Sequence, residues 1–400
     1  MLLKYILLLL PVLSLQSAPV LKSGVWRAEL LLNDSTILPF NFISEKNEIR
    51  ILNDTEELTV SDLQFSGDSV FMDILVFDSE IRAKMSDSTL NGNFINHGRL
   101  NNKVIPFRAE HGKNFRFTKN PEKPLQDISG KWKVIWGKEN GESKTAIGVF
   151  KHNNDKLSGT FLTATGDYRF LEGEMSGKKI KLSAFDGSHA FLFLAELGED
   201  GKLNGDFFSG THHHDTWMAW RDESVELPDA ETLTYLRPGY EKISFAFPDV
   251  NGDTLSFPND DYRNKVTIIQ ILGSWCPNCM DESIYLREVY KEYKNFGLEI
   301  IGLDYERQTD TARAFRVIKR MKERLQIPYP VLFAGSSSKA EASKSLPMLN
   351  RIFAYPTTIY IDKKGRVRKI HTGFNGPATG KLYQQFAEET DKFIRALLAE

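Results

Sequence analysis

A switch in hydrophobic period near residue 240 constrains this chain more than any other feature. From about Ser23 to Glu223 the chain reads as β throughout, in alternating stretches such as Ile180-Lys181-Leu182-Ser183-Ala184-Phe185. Period two is the signature of strands with one face against a core. The pairs Asn91-Gly92, Asp186-Gly187, Asp200-Gly201 and Asn204-Gly205 punctuate the region and are expected to be hairpin turns. The region also repeats. Ser23-Gly24-Val25-Trp26-Arg27 matches Ser129-Gly130-Lys131-Trp132-Lys133, Val76-Phe77-Asp78-Ser79 matches Ala184-Phe185-Asp186-Gly187, and Leu90-Asn91-Gly92-Asn93-Phe94 matches Leu203-Asn204-Gly205-Asp206-Phe207. Three matches in one order predict two tandem β units, 19–118 and 125–223, each a meander sandwich or small barrel. Lys119-Asn120-Pro121-Glu122-Lys123-Pro124 between them reads as a linker.

From 240 to 400 strands alternate with helices, the pattern of a separate α/β domain. A hairpin is expected where Ile243–Phe247 and Thr254–Phe257 flank Asn251-Gly252. Val266–Leu272 and Leu298–Leu303 read as buried strands, and 277–296, 309–325 and 381–398 as helices, the first stopped by Gly297. A second hairpin pairs Thr357–Ile361 with Val367–His371. The chain is thus multidomain, as 400 residues exceed what one core usually serves.

Residues 1–18 have the order of a secretory signal peptide: Lys4, an apolar run from Tyr5 to Leu15, then the small residues Ser17 and Ala18. The run is shorter than the ~20 apolar residues a bilayer span takes, so a soluble protein of the periplasm or cell envelope, without a transmembrane anchor, is expected. A formal net charge of −2 gives no electrostatic reason for a nucleic-acid partner.

An exported chain of this length could carry several disulfides, yet it has two cysteines, both in Ser274-Trp275-Cys276-Pro277-Asn278-Cys279. A bridge closing so small a loop would stabilise the fold little. A structural zinc usually takes four Cys or His ligands, there is no second cysteine pair, and the triplet His212-His213-His214 lies in the β region; no metal is expected. Redox chemistry fits the position. The pair falls where strand 266–272 gives way to helix 277–296, and a helix start favours an anion. Cys276 near the N-cap is expected to be the low-pKa and more exposed sulfur of the two, Pro277 suits the first helical position, and Cys279 one turn on lies within bridging distance.

These residues resemble the thioredoxin superfamily, in particular the TlpA/ResA-like exported thiol–disulfide oxidoreductases. Trp275-Cys276-Pro277-Asn278-Cys279 is similar to that family's W-C-x-x-C, and Glu282 to a glutamate three residues beyond it. Tyr355-Pro356-Thr357 takes the place of the cis-proline loop. The resemblance covers about 160 residues and implies a thioredoxin-like fold from 240 to 400. It also implies catalytic roles for Cys276, Cys279 and Glu282, with Glu282, or the neighbouring Asp281, moving a proton. Trp275, Pro277, Asn278, Tyr355 and Pro356 would meet substrate. Gln270 stands where many thioredoxins carry a buried acid. No cofactor beyond the redox-active Cys276–Cys279 disulfide is implied.

The expected reaction is reduction of disulfides in exported proteins, apocytochrome c among them, with electrons from a membrane-linked thiol donor. The direction of electron flow stays open. Two rivals remain: a binding or adaptor protein whose β units recognise a partner, and a peroxiredoxin-like peroxidase, for which no P-x-x-x-T-x-x-C is present.

Overall fold

Alternating strands must turn one face to a core, and the two β units do so by curling. The computed structural model describes residues 20–137, 144–154 and 156–400; the expected signal peptide at 1–18 lies outside them. Between residues 24 and 111 nine antiparallel strands form one sheet. Its order runs from Glu56–Ser61 at one edge, through Gly24–Leu31 and Val104–His111, to Gln64–Ser66 at the other. Those two edge strands are consecutive in the chain, with only Asp62 and Leu63 between them. So short a link brings opposite edges together, and the sheet becomes a half-barrel with one seam.

The second unit closes. Thr145–Asn153 pairs with both Gly130–Trp136 and Lys156–Thr163, completing a ring of eight antiparallel strands. A ninth, Gly166–Asp167, pairs only with Lys156–Thr163. Eight strands leave an interior that side chains can fill. Aromatic rings do so here: Phe161 and Phe193 stack at 4.3 Å, Phe193 and Phe207 at 4.5 Å, with Trp136 and Trp217 against Phe161. In both units the first tryptophan is buried and its Nε1 donates to the carbonyl four residues earlier, Trp26 to Lys22 and Trp132 to Ile128, each at 2.9 Å.

Asp186-Gly187 and Asp200-Gly201 lie in turns between strands, but the other two pairs do not. Asn91-Gly92 and Asn204-Gly205 are inside strands Thr89–Asn96 and Leu203–Ser209. A Cβ on Gly92 would sit 1.9 Å from the Arg82 carbonyl oxygen, and one on Gly205 2.0 Å from that of Leu194. These glycines permit close approach of neighbouring strands rather than a reversal of the chain.

The C-terminal domain is a five-stranded sheet in the order Val331–Ser336, Leu298–Glu306, Val266–Leu272, Thr357–Ile361, Val367–Thr372. The first three strands are parallel and the last two antiparallel to their neighbours. Helices Pro277–Tyr293, Thr311–Leu325 and Lys381–Ala399 accompany it, with the hairpin Phe245–Pro248/Thr254–Phe257 ahead. Val266–Leu272 is buried at all positions, as an apolar run interrupted only by Thr267 and Gln270 favours. Strand Val331–Ser336 and the short helix Lys339–Ser345 were not anticipated, and Leu298–Glu306 runs three residues past the expected Leu303. Among the described residues no helix is long and apolar enough to cross a membrane.

The half-barrel and the α/β domain share one apolar core, to which the barrel adds Phe185, Ala190 and Leu192. Asp78 of the half-barrel pairs with Arg313 and, at 2.9 Å, with Arg320 on helix Thr311–Leu325. Because the Gly205 backbone lies against its neighbour, Gly205→Ala is expected to destabilise the barrel by about 1–3 kcal/mol. The measurement is the urea midpoint of unfolding, and an unchanged midpoint would contradict the close-approach account.

Candidate active site

The central strand Val266–Leu272 delivers the chain to a turn, and Cys276 caps the helix that follows, with Pro277 in its first turn. Cys276 and Cys279 form a disulfide with Cα atoms 5.2 Å apart. The Cys279 N–H donates to Cys276 Sγ at 3.2 Å, so a free amide of the helix start points at that sulfur. Cys276 is 6% exposed and Cys279 0%. Cys276 is therefore the sulfur an attacking molecule reaches first.

Glu282, one turn further on, is buried. It accepts from Thr358 Oγ1 at 2.7 Å and from Gln270 Nε2 at 2.9 Å. Burial raises its pKa from the usual 4.5 to about 7, against the pull of those two hydrogen bonds. Gln270 Nε2 also donates to the Cys279 carbonyl at 3.3 Å, and Ser283 Oγ holds Gln270 Oε1 at 3.0 Å. The glutamine thus connects the carboxyl to the backbone of the inner cysteine.

The Tyr355–Pro356 bond is cis, and the Tyr355 carbonyl oxygen lies 3.6 Å from Cys276 Sγ. The Tyr355 ring packs edge-on against Trp275 at 5.5 Å, and its hydroxyl donates to Ser337 O at 3.2 Å. Trp275 Nε1 donates to Tyr305 O at 2.9 Å. Behind this loop lies an acid pair that the sequence did not reveal. Glu306 accepts from Ser274 N at 3.1 Å and from its hydroxyl, and burial together with Glu306 pushes Asp304 well above the usual carboxylate range.

Pro277 and Asn278, expected to meet substrate, are met first by the barrel. Asn278 is 9% exposed, and Nδ2 donates to Asp167 O at 3.0 Å and Phe374 O at 3.2 Å. Its amide holds the barrel, while Asn278 and Pro277 still border the cleft beside Cys276. A Cβ on Gly166 would lie 2.8 Å from both Asn278 Nδ2 and Phe374 O, which is why this tip of the barrel carries glycine. Arg169 completes the junction. Its guanidinium donates to Pro277 O at 3.2 Å and pairs with Asp281, with Glu56 of the half-barrel and, at 3.4 Å, with Asp186 of the barrel. Asp281, the alternative proton carrier, pairs with Arg169, and burial raises its carboxyl to about 7 against that pairing. Ser188 Oγ of the barrel donates to Trp275 O at 2.9 Å.

Between barrel and motif a cleft of about 580 Å³ remains, lined by Cys276, Trp275 and Tyr355 on one side and by Tyr168, His189 and His212 on the other. The histidine triplet diverges: His212 and His213 border the cleft, whereas His214 Nε2 lies 2.8 Å from Asp206. Among the described residues no three His, Cys, Asp or Glu side chains are grouped to hold a metal ion. An arginine in an alternating β sequence has no spacing that marks it, so Arg169 was not foreseen.

Residues 226–385 match the Redoxin family. A thiol-disulfide oxidoreductase ResA of Halalkalibacterium halodurans is 25% identical over 152 residues, 38% of this chain and 76% of that protein. A ResA of Bacillus thuringiensis subsp. konkukian is 29% identical over 129 residues, 32% of this chain and 66% of the relative. A thiol:disulfide interchange protein of Chlorobium tepidum aligns in structure with a TM-score of 0.31 and 21% identity, over 41% of this chain and 99% of its own. The family match does not extend to residues 20–225.

Glu282 holds its proton more tightly folded than unfolded, so wild-type stability falls as pH rises from about 4.5 to about 7. Glu282→Gln removes that fall. Relative to wild type, the variant is expected to gain roughly 3 kcal/mol between pH 4 and pH 8 in urea titrations; a constant difference would show that Glu282 is not buried with a raised pKa.

Proposed function

The C-terminal domain being a TlpA/ResA-like member of the thioredoxin superfamily, we propose that the protein is an exported thiol–disulfide oxidoreductase of the cell envelope that reduces disulfides in other exported proteins. The observation that carries this reading is Cys276 at a helix N-cap, bonded to Cys279 and receiving its N–H, with a protonatable Glu282 wired to the inner cysteine through Gln270.

In the forward direction the Cys276 thiolate attacks one sulfur of a substrate disulfide, and the other sulfur leaves as a thiolate that takes up a proton. Cys279 then attacks Cys276 in the mixed disulfide, releasing the second substrate thiol and closing the Cys276–Cys279 bond. Two electrons pass to the substrate, and a membrane-linked thiol donor restores the dithiol. Glu282, poised near neutrality, accepts the Cys279 proton as that sulfur attacks and returns it when the bond is reduced. Trp275, Tyr355 and Pro356 border the substrate, and apocytochrome c is one target with suitable chemistry.

The rival in which the β units are a separate recognition module fits less well. Arg169, Asp167 and Ser188 of the barrel bond directly to the motif and its helix, which favours one working unit.

Cys276→Ser is expected to abolish insulin reduction by dithiothreitol, and Cys279→Ser to accumulate a mixed disulfide visible by non-reducing mass spectrometry. Turnover surviving in Cys276→Ser would end the proposal. A midpoint potential near about −270 mV supports reduction, and one near about −120 mV reverses the direction. Glu282→Gln is expected to slow reopening of the disulfide by dithiothreitol about 10²-fold at pH 7, followed by intrinsic tryptophan fluorescence.

A further inference from the structure

The β units do more than adjoin the motif: they decide what can reach it. Cys276 borders a cleft whose far wall is the barrel, and the volume of that cleft suits a small molecule or a few extended residues. The same cleft gathers three cations from three different segments: Arg99 of the half-barrel, and Arg307 and Lys339 of the α/β domain. Among the described residues none of the three forms an ion pair with a carboxylate. Arg99 instead meets His212 Nδ1 at 2.8 Å, Arg307 lies over the Trp275 ring at 4.3 Å, and Lys339 lies over Phe353 at 5.5 Å.

The acids nearby, Asp167 of the cleft wall among them, are engaged by other donors. Asp167 accepts from the backbone of Arg169 and Gly376, each at 2.6 Å, Asp186 accepts from the backbone of Ser188 and His189, and Glu306 accepts from Ser274. Burial and the proximity of Arg99 lower Arg307 to about 10, and desolvation with Arg99 and its other cationic neighbours holds His212 near 4, so its ring is neutral at pH 7. Positive charge is therefore concentrated beside the outer cysteine, offset only in part by Asp186 near Arg99 and Glu306 near Arg307, and a low-dielectric wall strengthens its field.

Resting on the reductase reading above, we propose that this cleft selects disulfides flanked by carboxylates, on a small molecule or a single extended peptide. Arg99, Arg307 and Lys339 hold the acid groups while the S–S bond meets Cys276. The transfer is the one already written: the Cys276–Cys279 dithiol gives two electrons and two protons, the substrate S–S bond breaks, and two thiols leave.

The test compares disulfides of one skeleton: dianionic 3,3′-dithiodipropionate, neutral bis(2-hydroxyethyl) disulfide and dicationic cystamine, each with full-length protein pre-reduced by dithiothreitol. A second arm uses two short peptide disulfides in which the cysteine is flanked by glutamates or by glutamines. The dianion or the glutamate peptide is expected to lead its neutral partner by about tenfold or more in kcat/KM at low salt, with the lead shrinking at 0.5 M NaCl. Arg99→Gln and Arg307→Gln are each expected to reduce that ratio severalfold, and the arm showing the lead identifies the source of the carboxylates. Equal, salt-independent rates for anionic and neutral disulfides would overturn this inference while leaving the reductase reading intact. Failure to reduce any of them, or insulin, would overturn both.

Discussion

One buried guanidinium holds the three parts of this molecule in register. Arg169 stands on the barrel, pairs with Glu56 of the half-barrel, and reaches Asp281 and the Pro277 carbonyl on the motif helix. A planar fork with five donors suits such a junction, because one side chain can satisfy acceptors from several directions. The arrangement is also demanding. Removing one partner of a buried ion pair costs about 3–5 kcal/mol, since the remaining charge keeps its desolvation penalty. Arg169 faces Glu56, Asp186 and Asp281 together, so the position of the barrel over the cysteines is tied to the stability of the whole chain.

The redox pair uses two opposite electrostatic settings a few residues apart. The helix start offers Cys276 an amide hydrogen and the positive end of the dipole, which favour a thiolate. One turn deeper, burial disfavours charge on Glu282. A helix start that suits an anion and a carboxyl that prefers to keep its proton are complementary settings for a step in which a proton must appear and disappear with the disulfide.

The motif was legible in the sequence because its chemistry requires adjacent residues: two thiols at a helix start, proline in the first turn, a carboxyl one turn on. The thioredoxin-like sheet was legible for a similar reason, since Val266–Leu272 is apolar at nearly every position and Gly297 stops the helix before the next strand. The asparagine–glycine pairs misled. Glycine in Asn91-Gly92 and Asn204-Gly205 serves the approach of a neighbouring strand, and the same dipeptide would serve a turn. Only the partner strand tells them apart. The cleft was illegible because Arg99, Arg169, Arg307 and Lys339 come from distant segments, and no local pattern announces that a fold will bring them together. The structural bond of Asn278 was hidden on the same ground: its partner, the Asp167 carbonyl, lies 111 residues away.

The seam of the half-barrel bears on solubility. The outer sides of Glu56–Ser61 and Gln64–Ser66 carry backbone donors and acceptors with no ladder partner among the described residues, the kind of border along which separate molecules can zip together. Both borders are short, at six and three residues, and the longer one presents Glu57 to solvent. A hem so brief, its Glu57 paired with Arg50, gives an incoming chain little length to grip. The open unit can thus dispense with the closure its neighbour achieves, and still remain a poor template for aggregation.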